Sequence, residues 1–153
     1  MMLDSIRGHR STLWLRNGGA ATLASYNNLL TNLPEKHLHL LDATQPDWKS
    51  ATDMCVHANL EPGVALPDQR SVWLRWQKLT GLEFPHPSGK RVLCGHSGVS
   101  TNQLAFLNGW ICLDTLAHQN GYLTCIETRT GEISQSRQSG TFRTRRRLRN
   151  LQS

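Results

Sequence analysis

No apolar run in this 153-residue chain approaches the ~20 residues that a membrane helix needs. The four cysteines, Cys55, Cys94, Cys112 and Cys125, include no C-x-x-C pair, which excludes the usual structural zinc knuckle. A G-x-S-x-G elbow, a Walker loop and a G-x-G-x-x-G turn are all missing, so the common serine-hydrolase, P-loop and dinucleotide-binding readings fall away. Internal repeats are absent too. The opening residues, MMLDSIRGHR, hold neither an apolar stretch nor a small-residue cleavage site, so they do not read as a secretory signal, and a cytoplasmic location is expected. In that compartment disulfides are rare. Each cysteine lies in an apolar run (DMCVHA, RVLCGH, WICLDT, YLTCIE) and is expected in the core.

What remains is a chain of globular composition, long enough to bury a core, with a formal net charge of +6. The charge is unevenly spread. TFRTRRRLRN carries Arg143, Arg145, Arg146, Arg147 and Arg149 with no acidic residue, and without those five the net charge falls to +1. The basicity therefore belongs to residues 137–153, expected to form a disordered Arg-rich tail beyond a folded body at 1–136. Such a tail could contact phosphates, but no aromatic interleaving accompanies it, so nucleic acid is not the expected partner.

The coarse order of elements is helices first and strands last, an α+β arrangement. Met2 to Arg16 reads as loosely helical with a break near Gly8, and Ala20 to Tyr26 as a short helix. In LPEKHLHLLDAT, Pro34 suits a first helical turn, and Leu33, Leu38 and Leu41 share a face. Asp53 to Ala58 suits a buried strand, and the tryptophan-rich Val72 to Leu79 a helix. From Arg91 onward the pattern is β: RVLCGHS ends one strand near Gly95, LAFLNGWICLDT turns at Asn108-Gly109, and YLTCIET turns at Thr130-Gly131 into EISQS.

Two histidines stand at matching places. His57 closes the apolar run in Cys55-Val56-His57-Ala58-Asn59, and His96 follows another in Leu93-Cys94-Gly95-His96-Ser97. Side chains at the ends of adjacent buried strands converge above a sheet, where α/β folds place their sites. Imidazole ligates Zn, Fe, Mn or Ni well, and Gly95 admits close approach of backbone. Each histidine alone reads more readily as one hydrogen-bonded at a loop start, and only the matched pair brings the ligand reading level with that one. Arg75, between Trp73 and Trp76, could fork onto a phosphate while stacked on a ring, or simply lie over aromatic packing at the surface. His37 and His39 are expected to face solvent, and His9, His86 and His118 have no partner at useful spacing.

In order and spacing, MMLDSIRG, WLRNGGAATLASY, LPEKHLHLL, VHANLEPGVALPDQ, WLRW, SGKRVLCGHS, ICLDT and GYLTCIETRTGEI resemble the calcineurin-like metallophosphoesterases. The nearest branch is the bacterial serine/threonine protein phosphatases, which share their pattern with diadenosine tetraphosphatases. The likeness runs from about Met1 to Ser136. It implies part of a β-sandwich with flanking helices, this piece holding one sheet. It implies a divalent metal pair (Mn, Fe or Zn) that activates a water to attack a phosphate monoester on a phosphoprotein or small phosphoester. His57 matches the family's V-H-A ligand and His96 its G-H ligand, while Arg75 falls, more loosely, where an arginine grips the substrate phosphate. Asp114 and Thr115 match an I-D-T-G strand end in which Leu116 replaces the glycine. The motifs D-x-H, G-D-x-x-D-R and G-N-H-E, which supply the bridging aspartate, the remaining ligands and the protonating histidine, are not in this sequence, so no catalytic residue is assigned. The resemblance thus implies the C-terminal half of such an enzyme, inactive alone, with an uncovered apolar sheet face that invites association with another chain. Hydrolysis of dinucleoside polyphosphates and a non-catalytic interaction module with a basic tail are the alternatives.

Overall fold

The structure, a computed structural model, describes residues 1–9, 12–98 and 103–145, the last two by backbone alone. The chain divides into two compact units, Met1–Gln45 and Pro46–Ser153. Helices dominate the first and strands the second, which makes the protein α+β. Among the described residues no helix is long and apolar enough to cross a membrane.

The first unit strings together α1 (Met2–Ile6), α2 (Thr12–Trp14), a kinked stretch at Leu15–Gly19, α3 (Ala20–Ser25) and α4 (Glu35–Ala43). The break expected near Gly8 is there, with Gly8 at φ +95, a conformation costly for any residue with a side chain. Pro34 caps α4 in extended geometry, its fixed φ setting the chain direction just before the first turn. Leu33 is buried, and Leu38 and Leu41 are half-buried on one face. His37 departs from its expected solvent position. It is half-buried, and its Nδ1 lies 2.9 Å from the Tyr26 hydroxyl. His39 stays exposed beside Glu35.

The second unit contains two sheets where one was expected. β1 (Asp47–Lys49), β2 (Asp53–Val56), β3 (Arg91–Cys94), β4 (Ala105–Leu107) and β5 (Trp110–Cys112) form a five-stranded sheet in the order β1-β2-β3-β5-β4. β2, β3 and β5 run parallel at its centre, and β1 and β4 are antiparallel edges. Their central positions are apolar on both faces, as buried parallel strands require. Met54, Val56, Val92, Cys94, Trp110 and Cys112 pack with Leu74 of α5 (Ser71–Trp76) and with Leu60 and Leu66. Each large apolar side chain hidden there contributes about 1.5–3 kcal/mol. The Asn108-Gly109 hairpin forms as expected, with Gly109 at φ +78. On the edges, Trp48 of β1 and Phe106 of β4 are 57% and 53% exposed.

β6 (Leu123–Glu127), β7 (Glu132–Ser136) and β8 (Phe142–Arg145) form the second sheet, a meander of antiparallel hairpins. β8 lies in the stretch expected to be a disordered tail, so the expected boundary at 136/137 falls inside a hairpin. Residues 146–153, with Arg146, Arg147 and Arg149, lie outside the described residues. The inward face of this sheet joins the apolar pair Ile126 and Ile133 to a polar network. Thr115 and Thr124 share a hydroxyl–hydroxyl bond of 2.5 Å, the Gln135 amide donates to Thr124 at 2.8 Å, and Arg143 donates to the Gln135 carbonyl oxygen. Because that face turns inward, Cys125 is turned out. It is exposed, against its expected place in the core, whereas Cys94 and Cys112 are buried and Cys55 is half-buried.

Leu116 occupies the position where the resembling pattern has glycine, and it adopts φ +57. The local turn is thus of the glycine type with a leucine forced into it, at a cost of about 1–2 kcal/mol for a left-handed L-residue. Leu116→Ala should lose the packing and keep the strain, while Leu116→Gly should lose the packing and relieve it. The glycine variant is expected to be more stable by about 1 kcal/mol in urea unfolding. An alanine variant equal to or above it would show that the turn is unstrained.

Candidate metal-binding site

Three parallel neighbours, β2, β3 and β5, deliver His57, His96 and Asp114 one or two residues beyond their C-terminal ends. The sheet geometry alone therefore gathers these residues on one edge. The loop after β2 is tied down on both sides. The Gly95 N–H donates to the His57 carbonyl at 2.9 Å, while Ala58 and Asn59 donate their N–H groups to Leu74 and Trp73 of α5 at 2.8 and 3.1 Å. A Cβ at Gly95 would come to 3.4 Å from the His57 carbonyl oxygen, ordinary van der Waals contact. Beneath the turn that carries His96, the Cys112 thiol donates to the carbonyls of Gly95 and Ser97 at 3.7 and 3.5 Å.

The two imidazoles meet. Their ring centroids are 5.1 Å apart, with planes inclined at 54°. A cation held about 2.1 Å from one nitrogen of each ring, at a near-tetrahedral angle, needs a centroid separation of about 5 Å. His96 adopts φ +61, an uncommon conformation for a non-glycine residue. Its Nε2 lies 3.1 Å from the Trp76 carbonyl oxygen. A carbonyl only accepts, so Nε2 carries the proton, and in the neutral ring Nδ1 keeps the free lone pair. Metal-ligating histidines are commonly oriented in this way, by giving the far N–H to a carbonyl.

The pKa of His57 lies below the ordinary histidine value. Desolvation is the largest cause, followed by the neighbouring His96; the Asp114 carboxylate pulls the other way, and Arg75 adds a further lowering. Those influences place Arg75 and Asp114 within electrostatic reach of the imidazole pair. Arg75 is exposed on α5 and makes no ion pair among the described residues. The aromatic stacking considered for it is not seen, since the stacked guanidinium groups among the described residues belong to Arg137 and Arg143, both on Tyr122. Asp114 was legible only as part of a strand end resembling I-D-T-G. Its Oδ1 accepts the Leu116 N–H at 3.0 Å, an Asx-type bond that bends the chain.

The residues present fit two ligands of a divalent cation and stop there. No group of three or more His, Cys, Asp and Glu able to hold a metal occurs among the described residues. No protein-family model matches the chain, and no curated protein and no solved structure matches it either.

Proposed function

We propose that this chain carries two imidazole ligands of a metal-dependent phosphoesterase site, of the calcineurin-like, serine/threonine-phosphatase type. The observation that supports the reading is the 5.1 Å approach of the His57 and His96 rings, with His96 held in the tautomer that leaves Nδ1 free. Arg75 adds a cation within electrostatic reach of His57, suited to fixing a phosphate oxygen as the ester binds. Divalent cations would supply Lewis-acid polarisation of the phosphoryl oxygens and a nucleophile at neutral pH. His57 and His96 hold and orient, and the lowered pKa of His57 keeps its ring neutral and available as a ligand. Acidic ligands are lacking: D-x-H, G-D-x-x-D-R and G-N-H-E are not in the sequence. Two neutral imidazoles bind hard cations less well than carboxylates do, so the 153 residues alone should hydrolyse p-nitrophenyl phosphate only at background rate.

The reading is tested by metal-dependent phosphate binding. Manganese should raise the affinity of the chain for inorganic phosphate, His57→Ala should abolish that increase, and Arg75→Gln should weaken phosphate binding with and without the metal. Phosphate binding indifferent to manganese would overturn the proposal.

A further inference from the structure

The second sheet builds a different cationic feature, one that the imidazole pair does not use. Tyr122 is buried, with its backbone bridged to Thr115 by the Tyr122 N–H and by the Thr115 hydroxyl, at 3.0 and 2.6 Å. Two guanidinium groups lie over its ring, Arg143 at 3.7 Å and Arg137 at 4.3 Å from the centroid. Both sit within reach of one ring, so they lie inside about one Debye length of each other at physiological salt, about 8 Å. Neither forms an ion pair among the described residues. Arg143 spends two N–H groups on the Gln135 carbonyl oxygen, at 3.1 and 2.9 Å. Arg137, by contrast, makes no side-chain hydrogen bond among the described residues, so its donors are held flat by the ring and still available.

Arg137 also lines a concavity of about 390 Å³, with Ala117, His118, Leu123, Ser136 and Gln138. That volume falls in the range of small-ligand sites, about 300–1,000 Å³. Its two walls are joined, because the Gln138 amide donates to the Ala117 carbonyl at 3.0 Å. The lining is divided. Arg137, His118 and Ser136 can offer donors to an anion, while Leu123, 67% exposed, and Ala117 present apolar surface. The Arg137 guanidinium without a counter-ion, beside an apolar wall and with the Arg143 charge on the same Tyr122 ring, suits a molecule with one anionic end and one non-polar end.

We propose that this concavity binds a small organic phosphomonoester, its phosphate on the Arg137 guanidinium and its body against Leu123 and Ala117. The stacked plane presents a pair of N–H groups to two phosphate oxygens, which a lysine at the same place could not match. Inorganic phosphate shares the anionic end only. This site requires no metal and none of the residues of the imidazole pair.

The test is calorimetric titration of the full chain with adenosine 5′-monophosphate, in EDTA to remove divalent cations. Arg137→Gln and Arg137→Lys should each weaken binding at least about tenfold. Because Arg137 is exposed, both should keep the circular dichroism and melting behaviour of the parent chain. His57→Ala should leave the affinity unchanged, which separates this site from the proposed metal site. Adenosine and inorganic phosphate should each bind more weakly than the monophosphate. An absence of saturable binding, an affinity unchanged by Arg137→Gln, or adenosine or phosphate binding as tightly as the monophosphate would overturn the proposal.

Discussion

Replacing His57 or His96 by alanine should weaken zinc binding to the chain by at least about a hundredfold, beyond the 10- to 100-fold that loss of an orienting outer partner costs. With only two imidazoles converging, removal of either leaves a single ligand, and a lone histidine at a surface has no chelate advantage. Neither change should unfold the protein, because His57 is exposed and His96 is half-buried. Asp114→Asn should weaken binding less, since its carboxylate acts on His57 through space while its Oδ1 is committed to the Leu116 N–H. Arg75→Gln should leave zinc affinity equal or slightly higher, because it removes a like charge from the site. Competition with a chromogenic chelator measures all four. Equal zinc affinity in the parent chain and both histidine variants would show that the rings meet only as packing.

The second large effect concerns stability. Asp53→Ala should destabilise the protein by about 3 kcal/mol, the scale for breaking a buried ion pair by removing one partner. Asp53 is only 2% exposed, and its Oδ1 accepts the Arg91 Nε–H at 2.7 Å across the β2–β3 pair, while Thr52 donates to Oδ2 at 2.8 Å. Arg91 also donates to the Thr128 carbonyl just beyond β6, so the carboxylate sits in a network that reaches the second sheet. Burial pushes the Asp53 pKa up, but the Arg91 and Thr52 hydrogen bonds and the Arg91 charge outweigh it, and the net shift is downward. A depressed carboxylate pKa contributes stability above the ordinary unfolded value, near 3.8, and loses it as pH falls through the folded value. Urea unfolding of the parent chain should therefore show falling stability below about pH 4. Asp53→Asn should lessen that dependence, the remainder belonging to carboxylates such as Glu83 whose pKa is also lowered, while costing less than alanine at neutral pH. A pH profile as steep in the asparagine variant as in the parent would show that Asp53 is not the titrating group.

The sequence made some of this legible and hid the rest for identifiable reasons. Asn108-Gly109 announces its hairpin because the turn needs a residue that tolerates positive φ. β1 was not legible, since three residues, one of them an exposed tryptophan, carry no period. β8 was hidden by its charge. Phe142-Arg143-Thr144-Arg145 alternates as a strand does, but the run of arginines reads first as a solvated tail. Cys125 was misplaced because hydrophobicity assigns the faces of β6 wrongly: the sheet turns Thr124 inward, to meet Gln135, and leaves Leu123 and Cys125 outside. At the site, His57 and His96 could be singled out as residues following apolar strands. Asp114 follows β5 in the same way, but the hairpin with β4 says nothing of the parallel pairing of β5 with β3 that brings Asp114 beside them.

Long-range proton–nitrogen NMR of the seven histidine rings during a zinc titration tests the central claim most directly. The account predicts that the rings of His57 and His96 respond together, at one zinc per chain, with Nδ1 of His96 as the ligating nitrogen and its Nε2 still protonated. A response from only one of the pair, or from His37, His39 or His86 in their place, would contradict it.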